Sequence, residues 1–422
     1  MLIKSIYYLG VFTISFDVLL VFNVGFNFRL SQIFMIIAFY LMITLQCTKA
    51  LRWPIAFNAL LLWSFFIILF VPNTEYPIRN IGYGLWLFFN ILLIITTVTL
   101  FDNFDKIKSL MRIYLYSFLF ISILGLLQFM TPLHGIGAAY VSQWWIEGVL
   151  PRINVFSYEP SYFASYMIAG WVMSGYMINN RVQFIGRGIL YLIFLLTTIV
   201  LILSSSRMGW LMMILWLMQY PIMFVIRFSQ GYINLRHLKY MVFIIIILVP
   251  ISYLASQLIG IEDMIFLLQG TGIAETPDHS VRARMDTFLD VWDIFSASPI
   301  IGYSLGGIPS AISNLYMDEV RSMQDAKMYE GMNIFAEVLA ASGLFGFIAF
   351  LCYISKMILE PFRLSGNLTN PEMRCILRAL TWALIAELAI LQFNQNILRP
   401  YLWLNIAVLS AAIGAARSID QP

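Results

Sequence analysis

Runs of about 17 to 22 apolar residues recur along nearly the whole chain, and a run of that length is what an α-helix needs to cross the hydrocarbon core of a bilayer. The runs lie near 5 to 23, 30 to 47, 54 to 72, 81 to 100, 112 to 130, 160 to 178, 188 to 205, 208 to 227, 240 to 259, 333 to 354, 376 to 393 and 400 to 416, about twelve in all. With 61% hydrophobic and 11% charged residues and a mean hydropathy of +0.83, the 422 residues do not make a water-soluble domain. The fold class that follows is an all-α polytopic integral membrane protein, with residues 1–422 as one transmembrane domain.

Basic residues orient the spans. With a cytoplasmic N-terminus, about 16 of the 25 lysines and arginines fall on inner segments and 9 on outer ones. An even number of spans then puts both termini in the cytoplasm. The first apolar run has no small-residue cleavage site after it and reads as the first helix rather than a cleavable signal. Cys47, Cys352 and Cys375 lie near cytoplasmic span ends without metal-ligand spacing, which leaves them as packing residues. The net charge of +3 is sorted by face and serves topology, so nucleic acid is not implied as a partner.

Two outer segments are too long to be turns. Residues 131–159 run into Ser157-Tyr158-Glu159-Pro160-Ser161-Tyr162 at the start of a span. Residues 260–331 form the largest polar segment, and loops of that length are usually functional. Within it Met285, Phe288, Leu289, Trp292 and Phe295 recur at helical spacing opposite Asp286, Asp290 and Asp293, predicting an amphipathic helix that ends at Ser298-Pro299.

Gly302-Tyr303-Ser304-Leu305-Gly306 spells a nucleophile elbow, yet no β/α alternation surrounds it and no histidine follows it. A flexible glycine turn is the better reading. Ser204-Ser205-Ser206-Arg207 leaves room only for a tight hairpin between two spans. A lone arginine there would be an interfacial anchor, but Arg152, Arg282, Arg284 and Arg399 share its outer side. Several guanidiniums with fork geometry suit a pyrophosphate or other anionic group at the outer membrane–water boundary. Glu159, before a helix-starting proline, reads equally as a reactive carboxylate or as a helix-dipole partner. Asp17, Glu337 and Glu387 fall inside spans, where ionisable groups are functional candidates. His134 and His279 are the outer histidines.

Three segments resemble the O-antigen polymerase and O-antigen ligase superfamily, the Wzy-type polysaccharide polymerases included: Ser204-Ser205-Ser206-Arg207-Met208-Gly209; Arg284 followed by Ser298-Pro299 and Gly302, Gly306 and Gly307; and Asn333 through Glu337, Gly343 and Gly346. Tyr158-Glu159-Pro160-Ser161-Tyr162-Phe163 also resembles the E-P motif of polysaccharide polymerases. The resemblance implies a fold like the type C integral-membrane glycosyltransferases, in the bacterial inner membrane. It implies metal-independent transfer of a growing undecaprenyl-diphosphate-linked glycan onto a lipid-linked repeat unit at the periplasmic face. Catalytic roles would fall to Arg207 and Arg284 as leaving-group ligands and to Glu159 or His279 as base. Arg152, Arg282, Tyr158, Tyr162 and Asn333 would bind substrate, with Trp144 and Trp145 as further stacking candidates. No cofactor is implied; the partners are lipid-linked glycans and membrane lipids, with a chain-length regulator left open. Ligases of this group, and many of its polymerases, resemble one another in a His-Asn pair where this chain has Met332-Asn333, and in the ligases the resemblance makes that histidine the base. Methionine cannot accept a proton, which favours polymerase over ligase. A lipid-linked oligosaccharide transporter is the rival of another class, and the chain lacks its paired, interrupted spans.

Overall fold

A computed structural model describes residues 2–23, 27–45, 51–74, 77–134, 143–146, 150–230, 279–318, 329, 333–393 and 397–420. The expected span at 240 to 259, Cys47, Met332 and, of the 260–331 loop, residues 260–278, 319–328, 330 and 331 lie outside them. Among the described residues there are thirteen α-helices: α1 Leu2–Phe12, α2 Leu30–Leu45, α3 Phe57–Leu69, α4 Pro77–Leu100, α5 Phe104–Leu133, α6 Pro160–Asn180, α7 Arg187–Leu203, α8 Arg207–Ser229, α9 His279–Ala297, α10 Ser304–Leu315, α11 Ile334–Asn367, α12 Pro371–Ile390 and α13 Pro400–Asp420. Two short antiparallel ladders accompany them, β1 (Phe22–Asn23) with β2 (Asn27–Phe28) and β3 (Trp144–Ile146) with β4 (Leu150–Pro151). The described residues are thus helical almost throughout, and four of the helices among them are long and apolar enough to cross a membrane: α4, α5, α8 and α11.

Helices occur at eleven of the twelve expected places, with different lengths. The first differs most. α1 stops at Phe12, so Asp17 lies in a loop and not inside a span as its sequence position suggests. At about 1.5 Å per residue an 11-residue helix falls well short of a bilayer's thickness. α11, in contrast, continues 13 residues past the expected end at 354, carrying Lys356 and Arg363 as helix rather than loop. α10 was not anticipated at all.

Packing divides the chain into two compact units, Met1–Gly209 with Thr287–Pro422, and Trp210–Asp286. In the larger unit α6 and α13 are buried nearly all round, as befits central helices. α6 packs on α7 and α12, and α13 on α4 and α12; α11 joins α3 and α12, and α1 lies against α2 and α5. In the middle of this core Asn405 Nδ2 donates to Glu387 Oε2 at 2.6 Å. Charge pairs sort to the two ends. Arg52 and Lys106 meet Asp102, and Arg417 meets Glu360, at one end; Arg29 and Arg399 meet Asp17 at the other.

α9 ends at Ala297 as expected, but its buried positions are Val291 and Ile294, while Phe288, Leu289 and Trp292 are exposed. Phe295 is half-buried, so of the expected stripe it is Phe288, Leu289 and Trp292 that face away from the core. Past α9 the glycines serve close approach rather than flexibility. A Cβ on Gly302 would stand 2.1 Å from the Ala341 carbonyl oxygen, and Gly343, at φ +62°, kinks α11 so that Leu344 N–H reaches the Pro299 carbonyl at 2.9 Å. Gly306 N–H donates to Asn80 Oδ1 at 2.9 Å, and Gly307 sits on Thr74. Ser304, fully buried at φ +55°, heads α10 in this seam.

Gly343→Ala should lower the unfolding free energy by about 1–3 kcal/mol, because it strains the left-handed backbone and pushes a methyl onto Ile300 O. Gly84→Ala, with nothing within 4 Å of the new carbon, should stay within about 0.5 kcal/mol of the parent. Thermal melts of detergent-purified protein distinguish the two. Equal midpoints for all three proteins would contradict the close-packed seam.

Candidate functional site

The start of α6 gathers the polar residues that the sequence singled out. Glu159 has extended backbone (φ −141°, ψ 156°) and precedes Pro160, whose missing N–H costs nothing in a first turn. The Glu159 side chain makes no capping bond to its own helix; Ser161 Oγ donates to its Oε2 at 3.2 Å instead. The carboxylate is half-buried.

A strap, residues 150–158, carries Arg152 toward it. The strap is pinned to α5 by one buried amide pair. Gln128 Nε2 donates to Asn154 Oδ1 at 2.9 Å, and Gln128 Oε1 accepts from the backbone N–H groups of Asn154 and Val155 at 3.0 and 2.8 Å. Ile153 N–H bonds Leu203 O at 3.3 Å, and the Asp17 and Val18 N–H groups both donate to Phe156 O. Neither Gln128 nor Asn154 was singled out from sequence, although a glutamine inside an apolar span was a visible signal.

The α7–α8 hairpin closes the other wall. Ser205 adopts φ +51°, Gly209 N–H donates to Ser206 Oγ at 3.4 Å, and a Cβ on Gly209 would lie 3.1 Å from that of Ala164, so the first turn of α8 sits directly on α6. Arg152 Nη2 donates to Ser205 O at 3.2 Å and its Nη1 to Gln143 Oε1 at 3.1 Å. Arg207, the first residue of α8, is close enough to be felt electrostatically. Burial first, and then the like charge of Arg207, weaken the hold of the Arg152 guanidinium on its proton, while Glu159 acts in the opposite sense. Ser205 Oγ is buried and makes no hydrogen bond among the described residues. Arg152, Arg207, Glu159 and Ser205 thus share one place with an excess of positive charge. That arrangement suits an oxyanion beside a carboxylate able to take a proton.

Other expected site residues are placed differently. Tyr158 is exposed, whereas Tyr162 is buried with the Arg399 guanidinium 3.4 Å from its ring centre. Asn333 caps α11, its side chain accepting from Phe335 and Ala336 N–H at 3.0 and 3.1 Å. Glu337, one turn on, is buried and accepts from Ile397 N–H at 3.4 Å. Trp144 is half-buried in β3, and His134 ends α5 exposed. His279, Arg282 and Arg284 occupy the first turns of α9; these side chains, like that of Trp145, lie outside the described residues. No three His, Cys, Asp or Glu side chains come together as a metal-holding group among the described residues.

Residues 192–351, which include the hairpin, α9, α10 and the kink of α11, match a family model described as O-antigen ligase. The match supports the O-antigen polymerase and ligase superfamily, and with it a membrane-embedded, glycosyl-transferring enzyme. No curated protein matches the chain.

Gln128→Leu should destabilise the protein by about 2 kcal/mol or more, since it strands two buried N–H groups of the strap. Gln128→Glu, which keeps the acceptor oxygen, should lose less. Denaturant midpoints in detergent measure both, and an undisturbed Gln128→Leu would show that the strap is held by other means.

Proposed function

We propose that this protein is a polysaccharide polymerase that moves a growing glycan from undecaprenyl diphosphate onto the nonreducing end of a new lipid-linked repeat unit. The observation that carries the reading is the bond of Arg152 to Ser205 O in the turn that leads into Arg207, within electrostatic reach of Glu159 at the start of α6. An acceptor hydroxyl oxygen attacks the donor's anomeric carbon, and the bond from that carbon to the phosphate oxygen breaks with its electron pair leaving on undecaprenyl diphosphate. Glu159 takes the hydroxyl proton. Arg152 and Arg207 neutralise the charge that develops on the leaving group, and the Ser205 hydroxyl is a further donor to it. Charge neutralisation by guanidinium removes the need to invoke a metal. Tyr158, the exposed aromatic beside Glu159, is the surface for a sugar ring.

The roles suggested for Arg284 and Arg282 as further phosphate ligands, and for His279 as an alternative base, rest on the resemblance and on chain position. Periplasmic orientation, with both termini in the cytoplasm, and about twelve crossings belong to the same proposal. A ligase delivering glycan to lipid A core is the second reading, favoured by the description of the matching family. Met332 stands against it, because a ligase base is expected there.

Purified protein supplied with lipid-linked repeat units tests this. Arg207→Ala should slow polymer formation about 10²–10³-fold, and lysine at that site should restore little because it lacks the bidentate fork. Glu159→Gln should cost about 10²-fold or more, far beyond the loss of a dipole contact. Normal polymer from both variants would end the proposal, and product appearing only with lipid A core as acceptor would establish the ligase.

A further inference from the structure

The end of α7 remote from the hairpin carries a cleft that the chemistry above does not use. α7 is 17 residues long, so its first residue, Arg187, stands about 25 Å from the turn that leads into Arg207. The cleft has a volume of about 170 Å³, room for on the order of ten waters. Met177, Val182 and Leu190 form its buried floor, and Arg181, Arg187 and Tyr191 form its exposed rim. Neither guanidinium has an ion-pair or hydrogen-bond partner among the described residues. The carboxylate of Glu372 reaches the same loop, but its Oε1 accepts from Gln183 and Phe184 N–H at 2.7 and 3.0 Å. It holds the backbone of the loop and pairs with neither arginine.

The loop between α6 and α7 is firmly seated. Val182 and Ile185 bury themselves in the bundle, and Leu190 N–H closes the first turn of α7 on Gly186 O at 3.1 Å. Arg181 follows α6 in left-handed backbone, at φ +53° and ψ 48°, a position where glycine or asparagine is the low-cost residue. Two cations thus leave a fixed backbone on one rim of the cleft. The surface below them is apolar. Arg187, Tyr191, Leu195 and Ile202 recur at i, i+4, i+8 and i+15, which is one face of a helix, and the last three are between 44% and 58% exposed. In a membrane-embedded protein such a face meets acyl chains. Arg187 at its head and Tyr191 one turn on then stand at the depth of the lipid head groups, where arginines and tyrosines anchor a helix end.

We infer that the cleft between Arg181 and Arg187 seats the phosphodiester of an anionic phospholipid, with an acyl chain running along the Tyr191 and Leu195 face of α7. Charge complementarity selects this occupant: a basic pocket between helices at head-group depth attracts a net negative lipid. A zwitterionic lipid brings an ammonium group to the same two guanidiniums and is held less well. The apolar stripe that starts at the rim separates a lipid from a free phosphate, which gains nothing from it. The site is independent of the polymerase reading, whose residues lie at the other end of α7.

Native mass spectrometry of the delipidated full-length protein, titrated with phosphatidylglycerol or with phosphatidylethanolamine, tests this. The wild type should bind phosphatidylglycerol about tenfold or more tighter than phosphatidylethanolamine. Arg187→Gln and Arg181→Asn should each weaken phosphatidylglycerol binding about fivefold, and the double variant about 25-fold. Arg181→Asn guards against a folding defect, because asparagine suits the left-handed backbone and the melting temperature should hold or rise while lipid is lost. Lys356→Gln combined with Arg363→Gln removes two exposed charges from α11 and should bind lipid as the wild type does. Inorganic phosphate in large excess should not displace the lipid. Wild-type affinity in the Arg181→Asn, Arg187→Gln double variant would overturn the site, as would equal binding of the two lipids by the wild type. An equal loss in the α11 variant would reduce the effect to general charge, and displacement by inorganic phosphate would make the cleft a seat for soluble anions; either overturns the assignment to a lipid. None of these results bears on the polymerase reading.

Discussion

Cations at the positive ends of helices are the constraint around which one end of this molecule is organised. Arg207 opens α8, Arg29 stands before α2 and Arg399 before α13, each where the helix dipole favours an anion. Asp17 pairs with both Arg29 and Arg399, and Glu159 offsets Arg152 beside Arg207. The imbalance at half-buried Arg152 suits phosphate, whose oxygens satisfy helix ends and guanidinium forks together.

Holding that imbalance requires a rigid frame. Gln128 and Asn154 fix the strap, the hairpin turn at Ser205 fixes Arg207 against α6, and the seam of Gly302, Gly306 and Gly343 locks the chain that follows α9. α6 and α13 carry the arginines' neighbours from the centre of the core, where movement of one helix disturbs all the others. Catalysis by placed charge depends on such fixity, since donors that must reorganise lose most of their effect.

Much of this was legible in the chain. Among the described residues long apolar runs located eleven helices, the sparse spacer at Ser204-Ser205-Ser206 located the hairpin, and the arginines expected on one side include Arg152 and Arg207, which lie near each other. Local signals failed where long-range contacts decide. α1 stops at Phe12 because the chain must turn to bring Asp17 to two arginines, one of them distant in sequence; a hydropathy window does not register that. α10 hid in a segment read as a glycine turn, although Leu305, Ile308 and Ile312 carry a helical period. Its glycines read as flexible, but they exist for contact with Asn80 and Ala341, which lie far away along the chain. Tyr162 looked like a sugar platform from its neighbours, and its face is taken by Arg399, more than two hundred residues on.

The central claim is that arginines at the charged end hold lipid diphosphate directly. Solid-state NMR on the protein with ¹⁵N-labelled arginine side chains, in bilayers containing undecaprenyl diphosphate, measures it through nitrogen–phosphorus dipolar dephasing. Dephasing of guanidinium signals that Arg152→Gln and Arg207→Gln remove is the result this account predicts. Guanidinium signals that show no phosphorus within contact distance, in a sample that is polymerising glycan, would contradict it.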